Sequence, residues 1–308
     1  MTPVKAAILK TLCYADIFNY PLKKNEIHRW LISPQPVSKK LLFKSLSSTP
    51  YISRHQGYYF LKPNKSSVSL RKKHALFSRS KLILANKAAN YLKIIPFINL
   101  IAVTGALSMN NSHAHDDIDL FIITQKNRLW LTRLLSVIIL ELFHLRRRPS
   151  TPVSDPDRNI INNKICLNLF LDETSLSLSS SRRQLYTAHE VVQIKPLYDK
   201  KNTYHQFLFS NSWVRKFLPH ALQGLQGLTL KESSEGASNF AWLKAKQKGQ
   251  TLMDFLNLLA FKLQKKYMTS KITHEQITLH SAFFHPRPTS KIILKAYQDR
   301  LKSFNIHD

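Results

Sequence analysis

The chain has 308 residues, of which 44% are hydrophobic, and 46 basic against 18 acidic residues give a formal net charge of +28. That apolar content excludes a wholly disordered chain, and the length suits two or three domains. The basic excess serves solubility, and it also concentrates polyanions such as RNA, DNA, nucleoside triphosphates or anionic lipid.

Two cysteines, Cys13 and Cys166, lie in apolar runs without metal-ligand spacing. They read as small core residues of a reducing compartment. The first residues lack an apolar core followed by a small-residue cleavage site, so no signal peptide is expected. The most apolar stretch, Leu129 to Leu145, is interrupted by Arg133, Ser136 and Glu141. It reads as a buried helix rather than a membrane span, with an exposed basic cluster, Arg146, Arg147 and Arg148, behind it. A cytoplasmic protein with no membrane partner is expected.

In chain order, Ala6 to Phe18 reads as a helix broken by Tyr20-Pro21, and Asn25 to Ile32 as a second. Ser38 can cap a third, Lys39 to Leu46. Two β-prone runs then flank a turn at Gln56-Gly57. Three short helices and a hairpin make residues 1–64 a winged helix-turn-helix. Residues 65–95 form a connector, mostly the basic helix Ser67 to Ile94 with Arg71, Lys72, Lys73, Arg79, Lys81 and Lys87. Its cations read as a solvated face that the net charge suits to polyanions. Residues 96–182 alternate β-like runs (Phe97 to Val103, Ile118 to Thr124, Ile165 to Leu171) with a helix, Asn127 to Leu145. Residues 183–308 read as mostly helical, including Thr251 to Lys265 and Ser290 to Lys302. Ser175 to Ser181 and Lys231 to Ser238 read as exposed loops. The expected fold class is α+β, a mixed sheet with flanking helices.

One stretch carries chemistry. Val103-Thr104-Gly105-Ala106-Leu107-Ser108 leads through a polar loop to Asp116-Asp117-Ile118-Asp119 and an apolar strand. Residues two apart on a strand share a face, so Asp117 and Asp119 aim two carboxylates one way. Such a pair is tolerable if solvated, if one member is protonated, or if a divalent cation lies between them. Gly105 allows a sharp bend and a close phosphate approach. A helix starting at Ala106 offers N–H groups, and Ser108 a hydroxyl. His113 and His115 read as loop residues, because cysteine partners for a transition metal are absent.

A hydrophobic residue, a glycine and a small residue, followed about a dozen residues later by Asp-hydrophobic-Asp opening a strand, resembles the DNA polymerase β-like nucleotidyltransferase superfamily. The matching residues are Gly105, Asp117 and Asp119, with Asp116 where a serine is common. More loosely, the chain is similar to an uncharacterised bacterial group in which a winged helix precedes such a domain. The resemblance implies a nucleotidyltransferase-like core that moves a nucleoside monophosphate from an NTP to a hydroxyl-type acceptor. It also implies two Mg²⁺ ions held by Asp117 and Asp119, and a triphosphate cradled by Gly105, Ala106 and Ser108. Ala106 stands where Gly or Ser is usual, which moves one phosphate contact to Ser108 or removes it. The third carboxylate expected on a later strand is missing. Asn168 offers a neutral metal ligand there, and Asp172 or Glu173 stands at the strand's end.

Two other functions compete. A degenerate domain could sense a nucleotide beside a nucleic-acid-binding winged helix, with Lys39, Lys40 and Lys44 on phosphates. An antitoxin-like role, with a protein partner, is the other. Phe284-His285-Pro286 and Tyr186-Thr187-Ala188-His189-Glu190 stand out as motifs, and each His reads as structural.

Overall fold

The computed structural model describes residues 1–148, 162–223, 240–269, 275–284 and 288–306. The N-terminal unit begins with α1 (Pro3–Asp16), where proline at the first turn lacks only an N–H that would have no helical partner. β1 (Leu22–Lys23), α2 (Lys24–Arg29) and α3 (Lys39–Leu46) follow. The Ser38 hydroxyl caps α3 by accepting from Leu41 N at 3.3 Å. β2 (Ile52–His55) and β3 (Tyr58–Leu61) form the expected hairpin. Its turn residues Gln56 and Gly57 are both left-handed, with φ of 50° and 80°, as a tight two-residue hairpin turn needs. The sheet has a third strand that the sequence reading did not contain, in the order β1-β3-β2.

After α4 (Ser67–Leu92), β4 (Ile98–Val103) leads through the single turn α5 (Gly105–Ser108) into β5 (Ile118–Thr124). The helix α6 (Leu129–Leu142) then crosses over to β6 (Ile165–Asp172). Next come α7 (Leu185–Gln193), β7 (Lys195–Asp199), α8 (Thr203–Ser210) and α9 (Phe240–Thr269). β8 (Gln276–Ile277), β9 (Ser281–Phe283) and α10 (Thr289–Ser303) complete the described chain. The central sheet runs β7-β4-β5-β6-β9-β8. β5 and β6 are parallel and the other described pairs antiparallel, as a helical crossover between β5 and β6 requires. The fold is mixed α+β with a mixed sheet.

Both faces of this sheet are covered. Leu100, Ala102, Phe121 and Ile123 join one core with residues of α1, α7, α8 and α10, so the N-terminal unit and the sheet share apolar contacts. Ile101, Val103, Leu120 and Ile122 join a second core with Ala85, Ala88 and Ala89 of α4, Trp130 of α6 and Ala260 of α9. Double-sided burial explains why β4 and β5 read as unbroken apolar runs.

Two differences from the sequence reading follow. β7, β8 and β9 come from the stretch expected to be mostly helical, so residues 183–308 complete the sheet begun within 96–182. These strands are too short for a period of two to stand out. The serine-rich loop is no free surface segment, because Leu176 and Leu178 are buried. The Lys231 to Ser238 loop, together with His285 and Pro286, lies outside the described residues. No helix among the described residues is long and apolar enough to cross a membrane.

Asn211 holds that loop with all its hydrogen-bonding capacity. Its Nδ2 donates to the carbonyls of Leu176 (2.7 Å) and Phe207 (2.9 Å). Its Oδ1 accepts from Leu178 N and Trp213 Nε1, both at 3.0 Å. Asn211→Leu fits apolar surroundings but strands these groups, and is expected to cost about 2–4 kcal/mol in urea unfolding.

Candidate metal and phosphate site

β5 sends Phe121 and Ile123 into the core shared with α1 and α7, and Ile118, Leu120 and Ile122 into the other. Counting back by twos, Asp119 and Asp117 belong to the α1/α7 side. Asp117, Asp119 and Cys166 each bring one ligand atom within 4.8 Å of the others. Gly105 bends the chain with φ +59°, and a Cβ placed on it would stand 3.6 Å from Asp119 Oδ2. Thr104 N donates to the Asp119 carbonyl at 3.2 Å, which fixes the bend against the strand. Glycine, aspartate pair and loop therefore meet at one end of the sheet.

The remaining expected residues are placed unevenly. Ala106 is exposed beside the bend. The Ser108 hydroxyl donates to the Gly105 carbonyl at 2.7 Å, so its single proton is engaged within the turn. Across the parallel ladder, Cys166 stands opposite Asp119. Asn168 is buried and is the extra residue of a bulge, between Leu167 opposite Leu120 and Leu169 opposite Phe121. Asp172 pairs with Thr124 at the far end of β5, about 20 Å from the pair at roughly 3.3 Å per residue. There its carboxylate accepts from Asn127 N (3.1 Å), Thr174 N (2.9 Å) and His280 Nδ1 (2.7 Å). Glu173 accepts from Lys126 N at 3.2 Å and from Asn99. Both acids secure a distant turn, so neither completes the cluster.

Electrostatics favour one shared proton or one cation at the pair. Burial first, and the Asp117 charge second, push the Asp119 carboxyl up to about 7. Burial, with the charges of Asp119 and Asp117, raises the Cys166 thiol well above its ordinary value and keeps it protonated. Arg147, read as part of an exposed cluster, donates from Nη1 to Asp117 Oδ2 at 2.5 Å. It reaches the site because residues 145–147 run beside β6, with Ile165 N donating to Leu145 O at 2.7 Å and Arg147 N to Ile165 O at 2.8 Å. The other two arginines of the cluster pair with Glu141.

The acidic loop is held by a cation that the sequence reading left on a solvated face. Lys81 is 1% exposed. Its Nζ donates to the carbonyls of Asp116 (2.6 Å) and Ala114 (3.0 Å) and to Asn163 Oδ1 (2.8 Å). Burial lowers its pKa, and the nearby Asp116 and Asp117 oppose that shift. Asp116 Oδ2 in turn accepts from His113 N at 2.7 Å, closing the loop on itself. The His113 ring lies 4.1 Å from that of His74, so it packs as a loop residue.

Beside Gly105 and Ala106, a cavity of about 220 Å³ opens between α1 and α7. From α7 it takes Tyr186, His189, Glu190 and Gln193, a polar and aromatic stripe at helical spacing. Burial, and then the Asp119 charge, push the Glu190 carboxyl up to about 7. Lys81, Arg147, Cys166 and Glu190 carried no assigned role in the sequence reading. Only the α7 stripe had a visible signal, since Tyr186, His189, Glu190 and Gln193 recur at helical spacing along the helix.

Lys81→Met keeps length and removes the charge that gathers the three acceptors on Ala114, Asp116 and Asn163. It is expected to destabilise the protein by about 2 kcal/mol and to speed amide exchange across residues 112–118 at least about tenfold, by hydrogen-exchange mass spectrometry. No protein-family model matches this chain, and neither a curated protein nor a solved structure is found to be similar to it.

Proposed function

We propose that the chain binds a nucleoside triphosphate with Mg²⁺ at Asp117 and Asp119 and transfers its nucleoside monophosphate to a hydroxyl-type acceptor. The acceptor oxygen bonds to the α-phosphorus, the α–β bridge breaks, and pyrophosphate leaves. The observation that carries this reading is the left-handed Gly105 bend against Asp119, with Asp117 on the same side of β5. A glycine there admits a phosphate next to the backbone, where a side chain would stand in the way.

The donor set fits a hard cation. Asp117 and Asp119 offer carboxylate oxygens, which with substrate phosphates and water make the usual Mg²⁺ environment. When bound, the cation would neutralise phosphate charge and help align the attacking oxygen. The protonated, soft Cys166 thiol suits Mg²⁺ poorly, so the two-ion arrangement implied by the resemblance lacks its strand-borne third carboxylate. Lys81 keeps the loop in place, and Arg147 supplies a positive charge beside the phosphate position.

With labelled NTPs and Mg²⁺, wild type is expected to label an acceptor, and Asp117→Asn or Asp119→Asn to lose about 100-fold or more. Cys166→Asp is expected to raise turnover. Identical behaviour of wild type and both aspartate variants with every NTP would sink the proposal.

A second reading, nucleotide sensing without turnover beside a nucleic-acid-binding unit, is favoured by Arg147 on Asp117 and by Cys166 at the third position. The N-terminal order of three helices and a hairpin supports a winged-helix reading, and Lys39, Lys40 and Lys44 of α3 are exposed. Binding to DNA or RNA would then weaken steeply with salt. Replacing the three lysines by Ala is expected to flatten the log–log slope by roughly 0.9 per lost phosphate contact on duplex DNA. An unchanged slope excludes α3 as the contact surface.

A further inference from the structure

The chain has 46 basic residues, yet among the described residues no lysine or arginine lines the cavity between α1 and α7. Its walls are aromatic, formed mainly by Tyr14, Tyr20, Trp30 and Tyr186, and among the described residues its one acidic side chain is Glu190. The Thr11 hydroxyl is already engaged, donating to Ala7 O at 2.7 Å and accepting from Ile32 N at 2.9 Å. The ring of His189 stacks on Tyr14 at 4.0 Å with 10° between planes, and burial lowers its pKa to about 3. It is therefore a neutral wall residue, and its Nε2 has no hydrogen-bond partner. Arg71 stacks on Tyr20 but is tied to Glu26 by bonds of 2.6 and 2.8 Å and is not a lining residue.

These features exclude a triphosphate from the cavity, since burying phosphates without a cation or a donor array is costly. Phosphates belong on the Asp117–Arg147 side of the bend. Aromatic walls with one carboxyl group suit the opposite chemistry, a flat apolar body carrying a positive charge. At about 220 Å³ the cavity falls below the roughly 300–1,000 Å³ of drug-sized sites, enough for one ring with a short chain.

We propose that this cavity receives a small single-ring arylalkylamine that also carries a hydroxyl group, its ring between Tyr14, Tyr20 and Trp30 and its ammonium group on Glu190, beside the Gly105 bend. That the ligand acts as acceptor rests on the transfer reading above; its binding does not.

The test is calorimetric titration of the full chain with three compounds of like shape. Tyramine is cationic, 4-ethylphenol neutral and 4-hydroxyphenylacetate anionic. Tyramine is expected to bind at least about tenfold more tightly than 4-ethylphenol, with the anion weakest. Glu190→Gln, which keeps the shape, is expected to abolish the preference for tyramine while leaving 4-ethylphenol binding unchanged. Trp30→Ala is expected to weaken both, with circular dichroism confirming that each variant is folded. The proposal is overturned if no compound binds, if the anion or the neutral phenol matches tyramine, or if Glu190→Gln keeps the preference. Intact tyramine binding without nucleotide transfer would instead count against the transfer reading and leave the cavity assignment standing.

Discussion

The register of β5 governs the rest of the structure. The strand is covered on both faces, so each of its apolar residues from Ile118 to Ile123 is committed to one core or the other. A slip of one position would send Phe121 and Ile123 to the wrong core and carry Asp119 with them. Apolar burial along the strand therefore fixes the direction of the two carboxylates at its start. α1 and α7 pack on the same side, so they face the acids as a consequence of the same alternation. The bend at Gly105 is tied to this register as well, since Thr104 N and the Asp119 carbonyl are joined.

Three acidic residues near one strand end are unusual in so basic a chain, and the protein compensates them individually. Lys81 reaches from α4 into the loop and binds backbone carbonyls rather than carboxylates, which holds the shape without neutralising the pair. Asp116 is spent on the loop's own N–H, and Arg147 covers Asp117. For Asp119, burial and the neighbouring Asp117 charge outweigh the opposing influence of Arg147, which explains its upward shift. The result is a pair of neighbouring carboxyl groups on which full double ionisation is disfavoured.

The N-terminal unit does more than precede this site. Tyr20 Oη donates to the Met109 carbonyl at 2.9 Å, and Asn111 Nδ2 to the Phe18 carbonyl at 3.0 Å. Asn111 Oδ1 lies 3.0 Å from His74 Nδ1 of α4. The segment after the Gly105 turn is thus bound to α1's end and to the long helix together. Tyr14, Tyr20 and Trp30 of the N-terminal unit form one wall of the cavity whose other wall is α7. A change in how that unit docks would alter the cavity directly.

Local pattern alone determined much of this molecule. α3, β5, the Gln56-Gly57 turn, the glycine bend and the side shared by Asp117 and Asp119 all follow from short-range rules. Alternation, left-handed turn residues and helix caps act within a few positions. What surrounds those aspartates was decided only by tertiary structure. Cys166 reaches Asp119 through a parallel pairing across a helical crossover, and a bulge displaces Asn168 from the pattern. Asp172 and Glu173 went to the opposite end of the strand for the same reason. Lys81 and Arg147 look like solvent-facing cations in sequence, because nothing local distinguishes a basic residue aimed at carbonyls from one aimed at water. The short strands β7 and β9 cover the edges that β4 and β6 would otherwise leave open, and those pairings join partners distant in the chain.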